Sequence, residues 1–174
     1  MALRQILTEP NEILREKSLK VEQVDDDIRN LINDMLETMY AAPGIGLAAI
    51  QVGVPKRIIV LDIAPKDQAK NPMFFINPEI ISKSDNNSTY EEGCLSVPGQ
   101  FAEIDRPDKC HIRYIDYNNQ QKEIKAEGMI ATCIQHEMDH LEGILFIDYL
   151  SKLKKTMIVK KLSKQKKELE RIVV

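Results

Sequence analysis

The sequence predicts an α+β fold: mostly antiparallel β-sheets packed around a central helix, with further helices toward the N- and C-termini. Segments with helical periodicity flank a run of β-like segments instead of alternating with them. The 174 residues, 43% apolar and 29% charged, are typical of one globular domain. We therefore expect a single domain over residues 1–174, with a C-terminal helical tail from about residue 148.

The first helix is predicted over Asp26–Ala41. Asp25 to Asp27 provide an N-cap and a favourable charge for the helix dipole, and Pro43-Gly44 ends the segment. Its apolar residues recur at helical spacing and form one broad stripe. They are Ile28, Leu31, Ile32, Met35, Leu36 and Met39.

Strands are predicted after this helix, followed by the central helix over Met129–Leu141, which Gly143 ends. Asn118-Asn119 is a turn signal that joins the last two strands into a hairpin. The predicted strands are Arg57–Ile63, Met73–Ile76, Lys109–Tyr117 and Gln121–Glu127.

The tail, from about Ser151 to Val174, is predicted to be a third helix. Eight lysines and no acidic residues lie between Lys152 and Lys167. One interpretation is a solvated helix that docks on the body through a partial apolar stripe. This stripe comprises Leu150, Leu153 and Met157. The alternative is that the lysines contact an anionic partner such as RNA.

The composition disfavours several classes of protein. The net charge of −3 argues against a DNA-binding protein. Three cysteines without a C-x-x-C pair argue against a disulfide framework and suit a reducing compartment. No run of 18 apolar residues occurs, and no apolar signal core follows the first residues. We expect a cytoplasmic protein that does not enter a membrane.

The strongest chemical signal is the H-E-x-x-H pattern of His136 to His140, inside the predicted central helix. Residues four apart share one helix face, about 6 Å apart along the axis, so both histidines can bind one metal ion. Glu137 can then take a proton from metal-bound water. The alternative, two hydrogen-bonded core histidines, is disfavoured because an acid buried between them would be costly.

Two histidines leave a metal site short of a ligand. Cys133 lies on the same helix face but too far along the axis, so it lines a pocket more easily than it binds the metal. Cys94 lies in the turn-like stretch Glu92–Ser96, where Gly93 lets the backbone come close to a neighbour. Spacing alone does not choose between Cys94 and its rivals, which are Glu91 and Glu92.

A third string runs from Gly44 to Gln51 and contains G-x-G-x-x-A. A dinucleotide site is rejected because the string follows a helix instead of a strand, and no βαβ unit comes after it. Its small residues predict a close backbone approach, either to a neighbouring element or to a ligand lying as an added strand. Gln51 is either an amide donor to an oxyanion or a surface glutamine.

Together the three strings resemble, in this order, the three signature motifs of the peptide deformylase family. The resemblance covers nearly the whole chain, from the Leu7-x-x-Pro10 opening to the basic C-terminal helix. Each motif alone is of middling specificity, but all three at this spacing are highly specific. The resemblance implies a metal-dependent hydrolase that removes the N-formyl group from the formyl-methionine of newly synthesised proteins and releases formate.

The resemblance also implies a role for each residue. Glu137 matches the general base and acid, and Gln51 and the backbone N–H of Leu95 match the donors to the oxyanion. The implied metal ligands are Cys94, His136 and His140, with water in the fourth position. The expected substrate-binding residues are Gly44, Ile45, Gly46, Gly93, Phe101 and Cys133, with Gly46 beside the substrate backbone.

The residues themselves, a thiolate with two imidazoles, suit zinc or iron(II). The resemblance implies one divalent ion, iron(II), with zinc, nickel or cobalt as substitutes. It also implies N-formyl-methionyl nascent peptides as substrates and the ribosome as a partner of the C-terminal helix. We expect a monomer that binds neither DNA nor membranes.

One stretch departs from the family pattern. Many bacterial members carry an acid and, two residues later, an arginine after Val97-Pro98, where this chain has Gly99 and Phe101. This predicts a more apolar cleft rim. Two other functions compete: a zinc endopeptidase, disfavoured because no third histidine or glutamate ligand motif follows, and a non-catalytic metal-binding module that acts through its basic tail.

Overall fold

The computed structural model describes residues 2–173, which form seven β-strands and three α-helices. The strands are β1 Gly46–Ala48, β2 Ile58–Leu61, β3 Met73–Lys83, β4 Asn87–Cys94, β5 Val97–Pro107, β6 Lys109–Ile115 and β7 Gln121–Glu127. The helices are α1 Asp26–Ala41, α2 Met129–Leu141 and α3 Lys152–Val173. This order confirms the predicted α+β class with antiparallel sheets and three helices.

Five strands form one antiparallel sheet in the order β1-β2-β3-β6-β7, while β4 and β5 form a separate hairpin. All four side chains of β2 are buried. Successive side chains of a strand point to opposite faces, so β2 is covered on both sides. Ile58 and Val60 pack in a cluster with α1, and Ile59 and Leu61 pack in a cluster with α2. The large sheet is therefore sandwiched between α1 and α2.

Helix α1 has the bounds that the sequence predicts. The Asp25 carboxylate caps it by accepting a hydrogen bond from the Ile28 N–H at 2.9 Å. All the stripe residues are buried except Leu36, which is partly buried and packs against the same cluster. Helix α2 also has its predicted bounds, Met129–Leu141.

A strand forms at each of the four predicted positions, but β2 and β6 end earlier than predicted, at Leu61 and Ile115. Strand β3 continues beyond its predicted end to Lys83 and pairs with β6 over this extension through an irregular register. Three strands were not predicted. Strand β1 has only three residues, and β4 and β5 expose one face to solvent. Cys94 is the last residue of β4, so its placement in a turn-like stretch was wrong; the turn is at Leu95-Ser96.

Helix α3 docks through a different side from the one predicted. Leu162 is buried, and Ile158 and Val159 pack with it against β5 and the 3-10 helix Phe146–Tyr149. Leu150 joins this cluster, as expected. Leu153 and Met157 are exposed, so their predicted docking is wrong. The reason is that Leu150 precedes the helix in extended conformation and does not share its periodicity.

The helices between residues 2 and 173 include none with both the length and the apolar character needed to cross a bilayer.

Candidate metal centre and active site

Cys94, His136 and His140 come together where the end of β4 meets α2. One potential ligand atom from each residue lies within 4.8 Å of the others. The Sγ atom of Cys94 is 3.4 Å from Nε2 of His140. Both histidines are buried and Cys94 is half-buried. Within residues 2–173 no other group of histidine, cysteine and acidic side chains is arranged in this way.

Glu92, one rival of Cys94, orients a histidine instead of joining the group. Its carboxylate accepts hydrogen bonds from His136 Nδ1 at 2.8 Å and from Arg106 at 2.6 and 3.0 Å. Burial opposes ionisation of Glu92, but these hydrogen bonds outweigh it and lower its pKa. An ionised carboxylate only accepts, so His136 carries its proton on Nδ1 and Nε2 is left for a metal. The other rival, Glu91, is exposed.

Arg106 links β5 to α2 through Asp139 and also holds Glu92. Its Nη1 lies 2.8 Å from Asp139 Oδ2, and this oxygen also accepts from the Tyr149 hydroxyl at 2.7 Å. Burial favours the neutral guanidine, but the hydrogen bonds from Arg106 to Glu92 and Asp139 outweigh it and keep the pKa of Arg106 above its ordinary range. The sequence analysis missed this residue because a single arginine in a strand belongs to no motif.

Glu137 is buried beside the group. Its Oε1 lies 4.0 Å from His136 Nε2, and within the described chain its Oε2 has no hydrogen-bond partner. Burial raises the pKa of this carboxyl to about 7. Gly46 makes room for it, because a Cβ atom at Gly46 would lie 2.6 Å from Oε1. Gly46 therefore leaves space for Glu137, in addition to its expected contact with the substrate backbone.

Gln51 is buried and not on the surface, which removes one of its two interpretations. Its Oε1 accepts a hydrogen bond from the Ala48 N–H at 2.9 Å. Its Nε2 therefore points the other way, 3.0 Å from Ser96 Oγ and 3.5 Å from Cys94 Sγ. The amide donor is fixed beside the group by its own short 3-10 helix, Ala49–Val52.

A cleft of about 460 Å³ opens over these residues. Its size is that of a small-molecule or peptide-end pocket. The predicted residues on its wall are Gly44, Ile45, Gly46, Gln51, Gly93, Cys94, Leu95, Phe101, Cys133, His136 and Glu137. His140, whose Nε2 is 3.4 Å from Cys94 Sγ, does not line the cleft. Burial raises the pKa of the Cys133 thiol to about 12, which suits a pocket wall better than a metal ligand.

Comparison with known proteins places the chain in a family. Residues 3–156 match the family model described as polypeptide deformylase. The chain is 64% identical to the peptide deformylase of Pelagibacter ubique, with full coverage of both chains, and 60% identical to that of Maricaulis maris, with 98% coverage of both. The crystal structure of the Ehrlichia chaffeensis peptide deformylase superposes with a TM-score of 0.91 at 43% identity, covering 96% of this chain and 98% of that one. The chain belongs to the peptide deformylase family.

Membership makes the chain a hydrolase that acts as a deformylase on nascent formylated peptides. The deformylase family is metal-dependent, and Cys94, His136 and His140 are a group that could hold a metal ion. The resemblance drawn from the three sequence motifs is therefore confirmed at the level of family and activity.

Proposed function

We propose that this deformylase hydrolyses the formyl group of N-terminal formyl-methionine at the cleft over Cys94, and that Cys94, His136 and His140 hold one divalent metal ion there. The observation that carries the proposal is the convergence of one thiol and two imidazoles beside the buried carboxyl of Glu137, whose Oε2 has no partner within residues 2–173. Metal-assisted hydrolysis needs these two components together, a metal site and a proton acceptor.

The three side chains fit a metal ion by their chemistry as well as by their spacing. Glu92 holds the outer nitrogen of His136, which leaves the inner nitrogen as a ligand in the manner of metal-bound histidines. Burial lowers the pKa of His140 and so favours the neutral imidazole that a metal requires. When bound, the ion would supply a Lewis acid that makes water nucleophilic near neutral pH. We propose iron(II), with zinc, nickel or cobalt as substitutes.

Glu137 is proposed to move the proton. Its free Oε2 would accept a proton from the attacking water, and the same oxygen would deliver it to the leaving amine. Gly46 supports this role because it leaves the space that the carboxylate occupies. Burial of Glu137 keeps the carboxyl away from competing water molecules.

Charge develops on the formyl oxygen as the attack proceeds. Gln51 Nε2 would donate a hydrogen bond to it, since Ala48 holds the other end of the amide. The backbone N–H of Leu95, next to Cys94, is the proposed second donor. Donors that are already oriented need no reorganisation during the reaction, which is why a buried glutamine suits this task better than an exposed one.

The substrate is proposed to enter as an added strand. Strand β1 is an edge of the five-stranded sheet, so the backbone that leads from Gly44 into β1 at Gly46 can pair with an extended peptide. The methionine side chain would lie against Ile45 and Cys133 in the cleft, with Gly93 and Phe101 on the opposite wall. A small formyl group fits a tight site that an acetyl group does not.

We further propose that residues 1–174 act as one monomeric domain in the cytoplasm, and that the lysines of α3 face the ribosome. The support is the eight lysines between Lys152 and Lys167, whose side chains are exposed or half-exposed along a helix docked only through Leu162 and its neighbours.

The test is formate release by protein purified without oxygen. Formyl-Met-Ala-Ser is the substrate, and acetyl-Met-Ala-Ser and an unformylated longer peptide are the controls. We expect formate from the first only, with one metal ion per chain. Cleavage of internal bonds in the unformylated peptide would instead indicate an endopeptidase, and bound metal without any turnover would indicate a binding module.

A further inference from the structure

A second cavity, of about 650 Å³, lies between β5 and α3. We call it the β5–α3 groove, and its lining includes Phe101, Glu103, Lys154, Met157, Ile158 and Lys161. Gln100 and Phe101 also line the cleft over Cys94. The two cavities are therefore neighbours that share one wall.

Phe101 is the large apolar residue of this shared wall. Its side chain is 66% exposed, which leaves a large apolar ring in water. The ring lies on Gly93, its cross-strand partner: a Cβ atom there would be 2.6 Å from two ring carbons. Strand β4 thus lacks a side chain at the position where β5 places an exposed aromatic ring. The ring is not part of a hydrophobic core, because it is exposed to both cavities.

The far wall of the groove is equally open. Met157 is 62% exposed, although the next residue, Ile158, belongs to the docked part of α3. Lys154 and Lys161 of α3 line the groove as well, and β5 contributes Glu103. The groove is thus an apolar strip with a mostly cationic edge. Docking of α3 uses Leu162 and Ile158 and does not require Met157.

We propose that the residues that follow formyl-methionine in the nascent chain leave the cleft over Phe101 and bind in the β5–α3 groove. This inference rests on the proposed function. The substrate is the end of a longer chain, so the chain beyond the methionine must cross the cleft rim, and at Phe101 the rim continues directly into the groove. Apolar side chains with acidic neighbours fit this strip, because the lysines complement the acids.

The length of the substrate makes the proposal testable. An extended tripeptide spans about 10 Å and a nonapeptide about 30 Å, so only the longer one has residues left for the groove once formyl-methionine occupies the cleft. The two substrates are formyl-Met-Ala-Ser and a nonapeptide that continues it with six uncharged residues, two of them leucines. The ratio of the two KM values measures what the groove contributes.

Met157→Lys and Leu153→Lys are a matched pair of variants. Both replace an exposed apolar residue of α3 by lysine, but Leu153, 72% exposed, lies outside the groove. We expect the wild type to bind the nonapeptide about tenfold more tightly, from burial of one or two apolar side chains. Met157→Lys should bring the KM ratio close to one, and Leu153→Lys should keep the wild-type ratio.

Three results would overturn the proposal. Equal KM values for both peptides in the wild type would show that the groove is not used. Equal effects of the two variants would indicate a general charge effect of α3. The third result has two parts: KM does not depend on peptide length, and the wild type sediments in a concentration-dependent way that Met157→Lys abolishes. It would mean that a second copy of the chain covers the groove. Absence of formate from the tripeptide would contradict the proposed function itself and is thus a separate failure.

Discussion

The last two helices place charged side chains in opposite ways. Helix α2 buries His136, Glu137 and His140, whereas α3 turns its lysines to solvent and buries mainly Leu162. Other elements supply partners for polar side chains of α2: Glu92 accepts a hydrogen bond from His136, and Arg106 pairs with both Glu92 and Asp139. Among the lysines of α3, Lys155 makes an ion pair with Asp148 at the start of the helix, and this pair is only partly buried. The comparison shows that the surroundings decide whether a charged residue in a helix performs chemistry or keeps the surface solvated.

The largest expected effect is on the acid of α2. Glu137→Gln should lower kcat by about 10²- to 10⁴-fold, the usual contribution of a general acid and base, while the metal content stays at that of the wild type. Glu142→Gln, at the exposed end of the same helix, is the control and should keep full activity. Formate release and metal analysis measure both quantities. Normal turnover in Glu137→Gln would remove this residue as the base.

The next effect concerns the network that supports the site. Arg106→Met should lower the free energy of unfolding by about 3 kcal/mol or more, because it leaves Glu92 buried without its cation. Arg113→Met removes an arginine from an exposed pair with Glu123 and should lower the free energy of unfolding far less. Urea unfolding of both variants gives the comparison. Similar costs would mean that the buried network does not stabilise the site.

The docking of α3 should depend most strongly on Leu162, the buried residue of its docked side. Leu162→Ala should cost about 2 to 3 kcal/mol, since it opens a cavity between α3 and β5. Leu169→Ala, at a position 65% exposed on the same helix, should change stability by less than about 0.5 kcal/mol. Thermal unfolding reports both, and formate release from the tripeptide shows whether the site depends on the docked helix. Equal melting temperatures would mean that α3 does not dock as described.

The smallest expected effect is the pH dependence of the stability that Asp148 contributes at the start of α3. Asp148 lies 2.7 Å from Lys155 and accepts a hydrogen bond from Arg15 at 2.6 Å. Burial opposes its ionisation, but these two cations outweigh burial and lower the pKa of Asp148. Its ionised form therefore stabilises the fold above its unfolded pKa, near 4, and this stabilisation is lost as the pH falls through the lower folded pKa.

Asp148→Asn should accordingly unfold at lower urea concentration than the wild type at pH 7. The difference between the two midpoints should shrink as the pH falls below about 4. Taking the difference cancels the titration of the other acids, which both proteins share. A difference that stays constant down to pH 3 would show that the charge of Asp148 does not contribute.

The strands that the sequence analysis missed are those around the site. Strand β1 has only three residues, two of them glycine and alanine, and β4 and β5 pair only with each other. Their residues carry weak periodic signals because one side faces the cleft or solvent instead of a core. The strands that were predicted, β2 above all, have buried side chains that alternate or run continuously, and such patterns are visible in the chain itself.

The sequence by itself determined the contacts that are local in the chain: the bounds of α1 and α2, the spacing that places His136 and His140 on one face with Glu137 beside them, and the three motifs that indicate the family. Only the tertiary structure decided which residue faces which across the fold. It placed Cys94, and not Glu92, in the group that could hold a metal, and it paired Glu92 with Arg106. It also buried Gln51 and left Met157 exposed in the same groove as Phe101. The physical reason is that helical and strand periodicity fix the side of an element on which a residue lies, whereas the partner on that side comes from sheet order and helix docking, which depend on the whole chain.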